Sequence, residues 1–325
     1  MHPELFQLLG YPVHTYAVMI AVGFIVGIWL AARYGEQVGY DRDLILDLCW
    51  WILVSGLVGS RVVFMIVNWE QYYYPCFDVE YFNELYPTKA IDEADCTRLL
   101  YVWNGGLVFY GGVIGAMLTM VWFLKREGLK ILPMADVLIP SLAVGQFFGR
   151  LGCLGAGCCW GEVTQSNWGL VFPKFAESGK WTMVYADQAR DSELATRLSE
   201  VAGDYALPIH PTQLYDSLCG LFLFCVLIYI RHRKQFHGQV FVWWLLLYPV
   251  LRSSVEIFRG DHKERGMVYA FDTTGLNTLL GLPPESHAFL STSQFISLGM
   301  MTMALLILWT QRRNRTPDME LSTTG

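Results

Sequence analysis

Apolar residues along this chain gather into seven long runs, at 13–33, 44–67, 106–124, 133–150, 212–230, 239–258 and 292–311. Each approaches the ~20 residues a helix needs to cross a bilayer. The pattern predicts an all-α integral membrane protein of about seven transmembrane helices with extracytoplasmic loop insertions. Pro133, Pro140 and Gly145 interrupt the fourth run and make it the least regular. A single membrane domain is expected over 1–325, with an outer loop at 68–105, an outer head insertion at 151–211 and a further outer loop at 259–291. In the last of these, Gly275, Gly281, Pro283 and Pro284 read as turns.

Composition agrees with burial in lipid. Only 16% of residues are charged and 54% are hydrophobic, whereas soluble domains carry about a quarter charged residues. The placement of charge says more than the net value of −6. Basic clusters at Lys125, Arg126 and Lys130, at Arg231, Arg233 and Lys234, and at Arg312, Arg313 and Arg315 follow the third, fifth and seventh runs. All three fall on one side, which the positive-inside rule makes cytoplasmic. The N-terminus is then outside and the C-terminus inside. No Lys or Arg precedes the first run, so a cleaved signal peptide is not expected and the first helix should be retained. The outer stretch 68–103 holds seven acidic residues against two basic ones. Nucleic acid, which needs basic surface, is not an expected partner.

Within the apolar runs, ionisable residues are the informative exceptions, because each costs roughly 2.5–3.5 kcal/mol at a bilayer centre. Arg252, Glu256 and Arg259 recur at spacings of four and three, on one helix face. Arg252 lies 13 residues after Gln239, or about 20 Å into a ~30 Å hydrocarbon layer from the cytoplasmic side. Arg61, Arg150, Tyr16 and Tyr110 fall in the same outer half of the membrane. Arg61, Arg150, Arg252 and Arg259 against Glu256 give a local charge of +3. Planar guanidinium forks suit phosphate oxygens, and an outer-leaflet phospholipid head group is the natural ligand. The competing reading pairs Arg252 with Glu256 and lets Arg259 snorkel. It leaves Arg61 and Arg150 without an account.

The segment Gly145–Gly161 holds six glycines and Ala156 around Arg150. So many small residues permit close backbone approach, either between helices or to a ligand. Gly105, Gly106, Gly111 and Gly112 bracket Tyr110 in the same way. Cys153, Cys158 and Cys159 are spaced C-x₄-C-C, with no His nearby and no C-x-x-C. That spacing favours packing or a local disulfide over a metal or redox centre. Cys76 and Cys96 share the first outer loop, where an oxidising compartment would let them pair. Cys49, Cys219 and Cys225 sit in apolar runs as small packing residues. His210 either caps the fifth helix or joins the site.

Several segments together resemble the prolipoprotein diacylglyceryl transferase family of the bacterial inner membrane. They are His14-Thr15-Tyr16, Gly59-Ser60-Arg61, Trp103 through Gly112, Gly149-Arg150-Leu151-Gly152, His210 through Tyr215, and Arg252 through Arg259. The order and spacing of these pieces carry the resemblance; the outer stretches 68–103 and 162–207 add nothing to it. It implies transfer of the diacylglyceryl group of phosphatidylglycerol to the lipobox cysteine of prolipoproteins, the first step of lipoprotein maturation, with release of glycerol phosphate. Partners would be phosphatidylglycerol, lipobox-bearing signal peptides and membrane lipids, with no cofactor and no metal. Arg150 would belong to the lipid-binding motif, and Arg252 and Glu256 to a second essential motif. Tyr110 completes the expected catalytic set. Tyr16, Arg61, Gly152, Cys153, Gly161, His210, Tyr248 and Arg259 are expected to join Arg150 in binding substrate.

The chain departs from the family pattern twice. Tyr110 stands where the commonest pattern has His, and a phenol, with a reference value near ~10, is a poor base unless arginines lower it. Cys153 stands where Asn is usual. A paralogue acting on another lipid or acceptor is therefore an alternative. A lipid or anion transporter would use the same arginines, yet no paired repeat is visible. A membrane thiol oxidoreductase would instead depend on Cys153, Cys158 and Cys159.

Overall fold

The computed structural model describes residues 4–8, 11–87, 91–97, 106–176, 179, 181–200, 203–260, 267–271 and 288–315. Helices carry the fold: α1 (Thr15–Gln37), α2 (Arg42–Val67), α3 (Trp69–Phe77), α4 (Val79–Leu85), α5 (Phe109–Arg126), α6 (Ile131–Ala156), α7 (Met183–Arg190), α8 (Ser192–Glu200), α9 (Thr212–His232), α10 (Gln239–Glu256) and α11 (Thr292–Arg315). Of these, α1, α2, α6 and α9 are long and apolar enough to cross a membrane. Pro140 lies inside α6, and that helix still runs through the weakest of the predicted spans. α5 and α10 have 18 residues each, about 27 Å, and Arg252 and Glu256 lower the hydropathy of the second. The chain is helical but not purely so. Two short antiparallel ladders are present, β1 (Glu4–Leu8) with β2 (Tyr11–His14) and β3 (Met267–Phe271) with β4 (Ala288–Ser291). The turns expected at Gly275, Gly281, Pro283 and Pro284 lie outside the described residues.

The chain forms two compact units, one of residues 1–31 and 135–325, the other of 32–134. In the second unit, α2 and α5 meet through small residues. A Cβ on Gly59 would strike the Gly111 carbonyl, and one on Gly115 would strike that of Ser55. Gly111 and Gly112 therefore serve backbone-to-backbone helix packing, as small residues do between membrane helices. Arg61 is buried there, donating from Nη1 to the Gly106 carbonyl at 3.2 Å. Its guanidinium also lies 5.6 Å from the Phe64 ring centroid and 5.3 Å from that of Tyr72. Tyr110, in the first turn of α5, is 46% exposed. Beyond α2, Cys76 and Cys96 are disulfide-bonded with Cα atoms 4.5 Å apart.

The first unit holds the helices that carry most of the ionisable residues. α9 packs closely on α6. Ser217 Oγ donates to the Phe147 carbonyl at 3.1 Å, and a Cβ on Gly220 would meet Phe147 N at 3.0 Å. Ile139, Ala143, Leu223, Leu227 and Val240 close the core behind this contact. α10 begins after Gly238, whose φ of +91 suits glycine. A carboxylate from another helix caps that start. Asp136 accepts from Gly238 N at 2.8 Å and Phe241 N at 3.1 Å, and Lys234 Nζ lies 3.6 Å away. Removing this buried cap should cost about 1–3 kcal/mol. Thermal unfolding in detergent is expected to show Asp136→Ala clearly destabilised, with Asp136→Asn intermediate.

The segment between α6 and α9 is a small folded layer rather than a loose loop. Trp160, Phe172, Val184, Ala206 and Ile209 form its core. Fully buried Gln188 closes it by bonding both ways with the Leu207 backbone, at 3.2 and 2.8 Å. Such pairing is what a buried amide requires.

Candidate functional site

Four charged side chains of the first unit converge. Asp216, one turn into α9, lies between Arg150 of α6 and Arg252 of α10. Its Oδ2 is 3.3 Å from Arg150 Nε and 3.6 Å from Arg252 Nη1. Arg252 Nη2 reaches Glu256 Oε2 at 2.7 Å, one turn further along the same helix. The pairing of Arg252 with Glu256 is thus real, but it does not exhaust either the arginine or the cluster. Arg252 Nη1 and Asp216 Oδ1 are buried and make no hydrogen bond. A buried donor without an acceptor is costly.

Asp216 is the functional candidate that sequence reasoning missed. The signal was available, since it is the one acidic residue in the run 212–230. With it, Arg150, Arg252 and Arg259 stand against Asp216 and Glu256, so the cluster within this unit carries a net +1. Arg150 is the more accessible guanidinium, its side chain 22% exposed against 9% for Arg252. Its ion pair with Asp216 uses Nε, and the outer fork nitrogens lie beyond that contact.

Short backbone ladders position the remaining candidates. Gly161 N donates to the His210 carbonyl at 3.1 Å, Glu162 N to that of Phe258 at 2.9 Å, and His210 N to that of Glu162 at 2.9 Å. Gly161 also forms an antiparallel bridge with Arg259. Segments around 161, 210 and 259 are therefore stitched together, and Arg259 is fixed rather than snorkelling. A Cβ on Gly161 would strike the His210 carbonyl and come within 2.7 Å of the Phe258 carbonyl. Gly161→Ala is expected to displace Arg259 and lower turnover about 10²-fold, because a ~1 Å misplacement is enough. The check is a transfer assay on protein shown to be folded.

Burial pushes the His210 imidazole below its ordinary value, against a smaller upward pull from Glu162. Its ring lies 5.2 Å from that of Phe258, and the following residues start α9. Gly152 packs on α1, where an added Cβ would meet Tyr16 Cδ2 at 3.2 Å. Tyr248 stacks on Trp244 at 5.4 Å. Arg61 and Tyr110 belong to the other unit and are placed within it as described above.

The loop after α6 brings the three cysteines together. Gly157, with φ of +72, turns the chain, and Cys158 N donates back to the Cys153 carbonyl at 3.2 Å. The α9 start holds this loop. Thr212 Oγ1 donates to the Cys159 carbonyl at 2.9 Å and Gln213 Nε2 to that of Cys158 at 2.8 Å. All three Sγ atoms lie within 4.8 Å of one another. Hydrogen bonds from Cys153 and Cys158, then the Arg259 and Arg150 guanidiniums, favour the thiolate at Cys159.

A family model described as prolipoprotein diacylglyceryl transferase matches residues 3–310. This chain belongs to the prolipoprotein diacylglyceryl transferase family. Relatives carrying the name phosphatidylglycerol–prolipoprotein diacylglyceryl transferase match over most of its length. The Clostridium tetani protein is 27% identical over 309 residues, covering 94% of this chain and 96% of the relative. That of Deinococcus radiodurans is 27% identical over 321 residues, covering 97% and 87%. The Serratia proteamaculans protein is 29% identical over 329 residues, covering 98% and 96%. Membership of a transferase family and a set of long apolar helices make this chain a membrane transferase.

Proposed function

We propose that this chain transfers the diacylglyceryl group of phosphatidylglycerol to the lipobox cysteine of prolipoproteins and releases glycerol phosphate. The observation that carries the reading is the buried, unsatisfied Nη1 of Arg252, held beside Arg150 by a shared Asp216. Transfer forms a C–S bond and breaks the C–O bond between the diacylglyceryl carbon and phosphate. The electron pair goes to a phosphate oxygen. Arg150 and Arg252 stabilise that departing charge, and a preorganised donor of this kind supplies several kcal/mol in a dry site. Asp216 and Glu256 hold the two forks in place. Gly152, Cys153, Gly161, Tyr16, Tyr248, His210 and Arg259 are assigned to substrate binding beside them. Arg61 and Tyr110 are assigned to the same reaction by their depth in the sequence.

Seven spans are proposed, with α5, α10 and α11 joining the four long apolar helices in a bacterial inner membrane. The basic clusters at the ends of α5, α9 and α11 put the C-terminus in the cytoplasm and the N-terminus outside. The test is mass spectrometry of a lipobox peptide incubated with purified protein and phosphatidylglycerol. A diacylglyceryl mass shift on the cysteine is the expected result. No shift from folded protein, across peptides and lipids, would reject the assignment.

A further inference from the structure

The reaction proposed above needs the acceptor thiol as a thiolate. Both carboxylates of the cluster are already committed. Asp216 lies against Arg150 and Arg252, and Glu256 against Arg252. Each is held against a guanidinium as part of the clamp. The same unit also holds a group of three thiol side chains.

We propose that Cys153, Cys158 and Cys159 hold a thiophilic d¹⁰ metal ion, zinc above all, whose open fourth position takes the acceptor thiol. This rests on the transferase reading. The geometry fits one ion. With Zn–S bonds of ~2.3 Å, three sulfurs around a shared metal stand about 3.8–4.0 Å apart. Here they lie within 4.8 Å of one another without a bond between them, so closure needs shifts of under about an ångström. The backbone is already turned for it. Gly157 has φ +72 and Cys159, a residue with a side chain, is held at φ +59. Thr212 and Gln213 tie the two loop carbonyls to the start of α9.

Charge fits as well. Three thiolates around a divalent ion leave −1, in a unit where Arg150 and Arg259 carry the opposite charge. Among the described residues no further His, Cys, Asp or Glu joins the group. Three protein ligands and an open position characterise catalytic rather than structural zinc. Three sulfurs also serve this better than a disulfide, which would use two and strand the third.

The chemistry balances. The acceptor R–SH binds the ion as R–S⁻ and its proton passes to water, since a coordinated thiol is deprotonated outright. The metal-bound thiolate attacks the diacylglyceryl carbon, the C–O bond breaks, and its electron pair leaves on the phosphate held by Arg150 and Arg252. The product thioether is a weak ligand and leaves the ion. Metal and phosphate clamp are thus the two halves of one displacement, and Cys153 becomes a ligand in place of the Asn usual at that position.

The test uses the full chain purified in detergent with thiols protected. Elemental analysis is expected to give about one zinc per chain, falling at least ~10-fold in Cys158→Ser. Cobalt substitution should show thiolate-to-metal absorption that changes when a lipobox peptide is added but not when its cysteine is serine. Stripping the metal with a chelator should lower transfer about 100-fold, with zinc restoring it, so the result does not depend on the serine variant folding. Transfer by protein that is metal-free, or in which two of the three cysteines are disulfide-bonded, would overturn the inference and leave the transferase reading standing. A cobalt site indifferent to the peptide thiol would also overturn it. Metal and peptide-thiol binding without transfer from any lipid would instead reject the transferase reading, and the acceptor role with it.

Discussion

Arg252→Ala is expected to lower diacylglyceryl transfer by about 10³-fold or more. Removing one preorganised donor from a charge-developing site costs about 10²–10³, and this residue supplies a full positive charge as well as two such donors. Its loss also leaves Glu256, 4% exposed, and Asp216, 2% exposed, short of a partner. Breaking a buried ion pair by deleting one side costs about 3–5 kcal/mol, so the alanine effect combines lost stability with lost chemistry. Arg252→Lys separates the two contributions. It retains the charge but not the planar fork that spans Asp216 and Glu256. We expect folded protein with activity down about 10–100-fold. Thermal unfolding alongside the peptide mass-shift assay checks both variants. Near-native transfer by a folded Arg252→Ala protein would remove this arginine from the reaction.

Asp216→Asn is the second large effect, and its signature differs. Asp216 touches Arg150 and Arg252 rather than any proposed reacting atom, so it is a positioning residue. The amide keeps the shape but drops the charge, and the cluster rises from +1 to +2. Two consequences oppose each other. A more positive pocket attracts a phospholipid phosphate more strongly, so KM for phosphatidylglycerol is expected to fall several-fold. The guanidiniums also repel one another without their common anchor, and their aim at the leaving oxygen is lost. We expect kcat to fall about 10²-fold. Steady-state kinetics with lipid as the varied substrate reads the split. A uniform loss of active protein, with KM and kcat of the remainder unchanged, would make Asp216 merely structural.

Much of the site was legible because ionisable residues in apolar runs are rare and costly. Arg150, Arg252, Glu256 and Arg259 stood out on that ground, and helical spacing placed Arg252 and Glu256 one turn apart; Arg259, expected on the same helix face, instead lies beyond the end of α10, in a bridge with Gly161. Asp216 and Asp136 satisfied the same criterion but carry no motif of their own; one holds two arginines and the other caps α10. Small residues were ambiguous for a different reason. Gly111, Gly112 and Gly220 serve helix packing, whereas Gly161 gives room for a backbone bridge. Close approach looks the same along a chain whichever partner approaches. The cysteines were the least legible. Their C-x₄-C-C spacing is unlike the usual zinc patterns, and only the left-handed turn at Gly157 folds Cys158 and Cys159 back onto Cys153.

By itself the sequence determined the helical membrane class, the family and the identity of the charged residues placed in lipid. These depend on hydropathy, local order and residue type, all of which are written along the chain. The tertiary structure decided which charges meet. α9 approaches α6 closely at Ser217 and Gly220, and this brings Asp216 between two arginines from helices far apart in sequence. Helix rotation and approach are set by side-chain packing across elements, and periodicity within one helix carries no record of its neighbour.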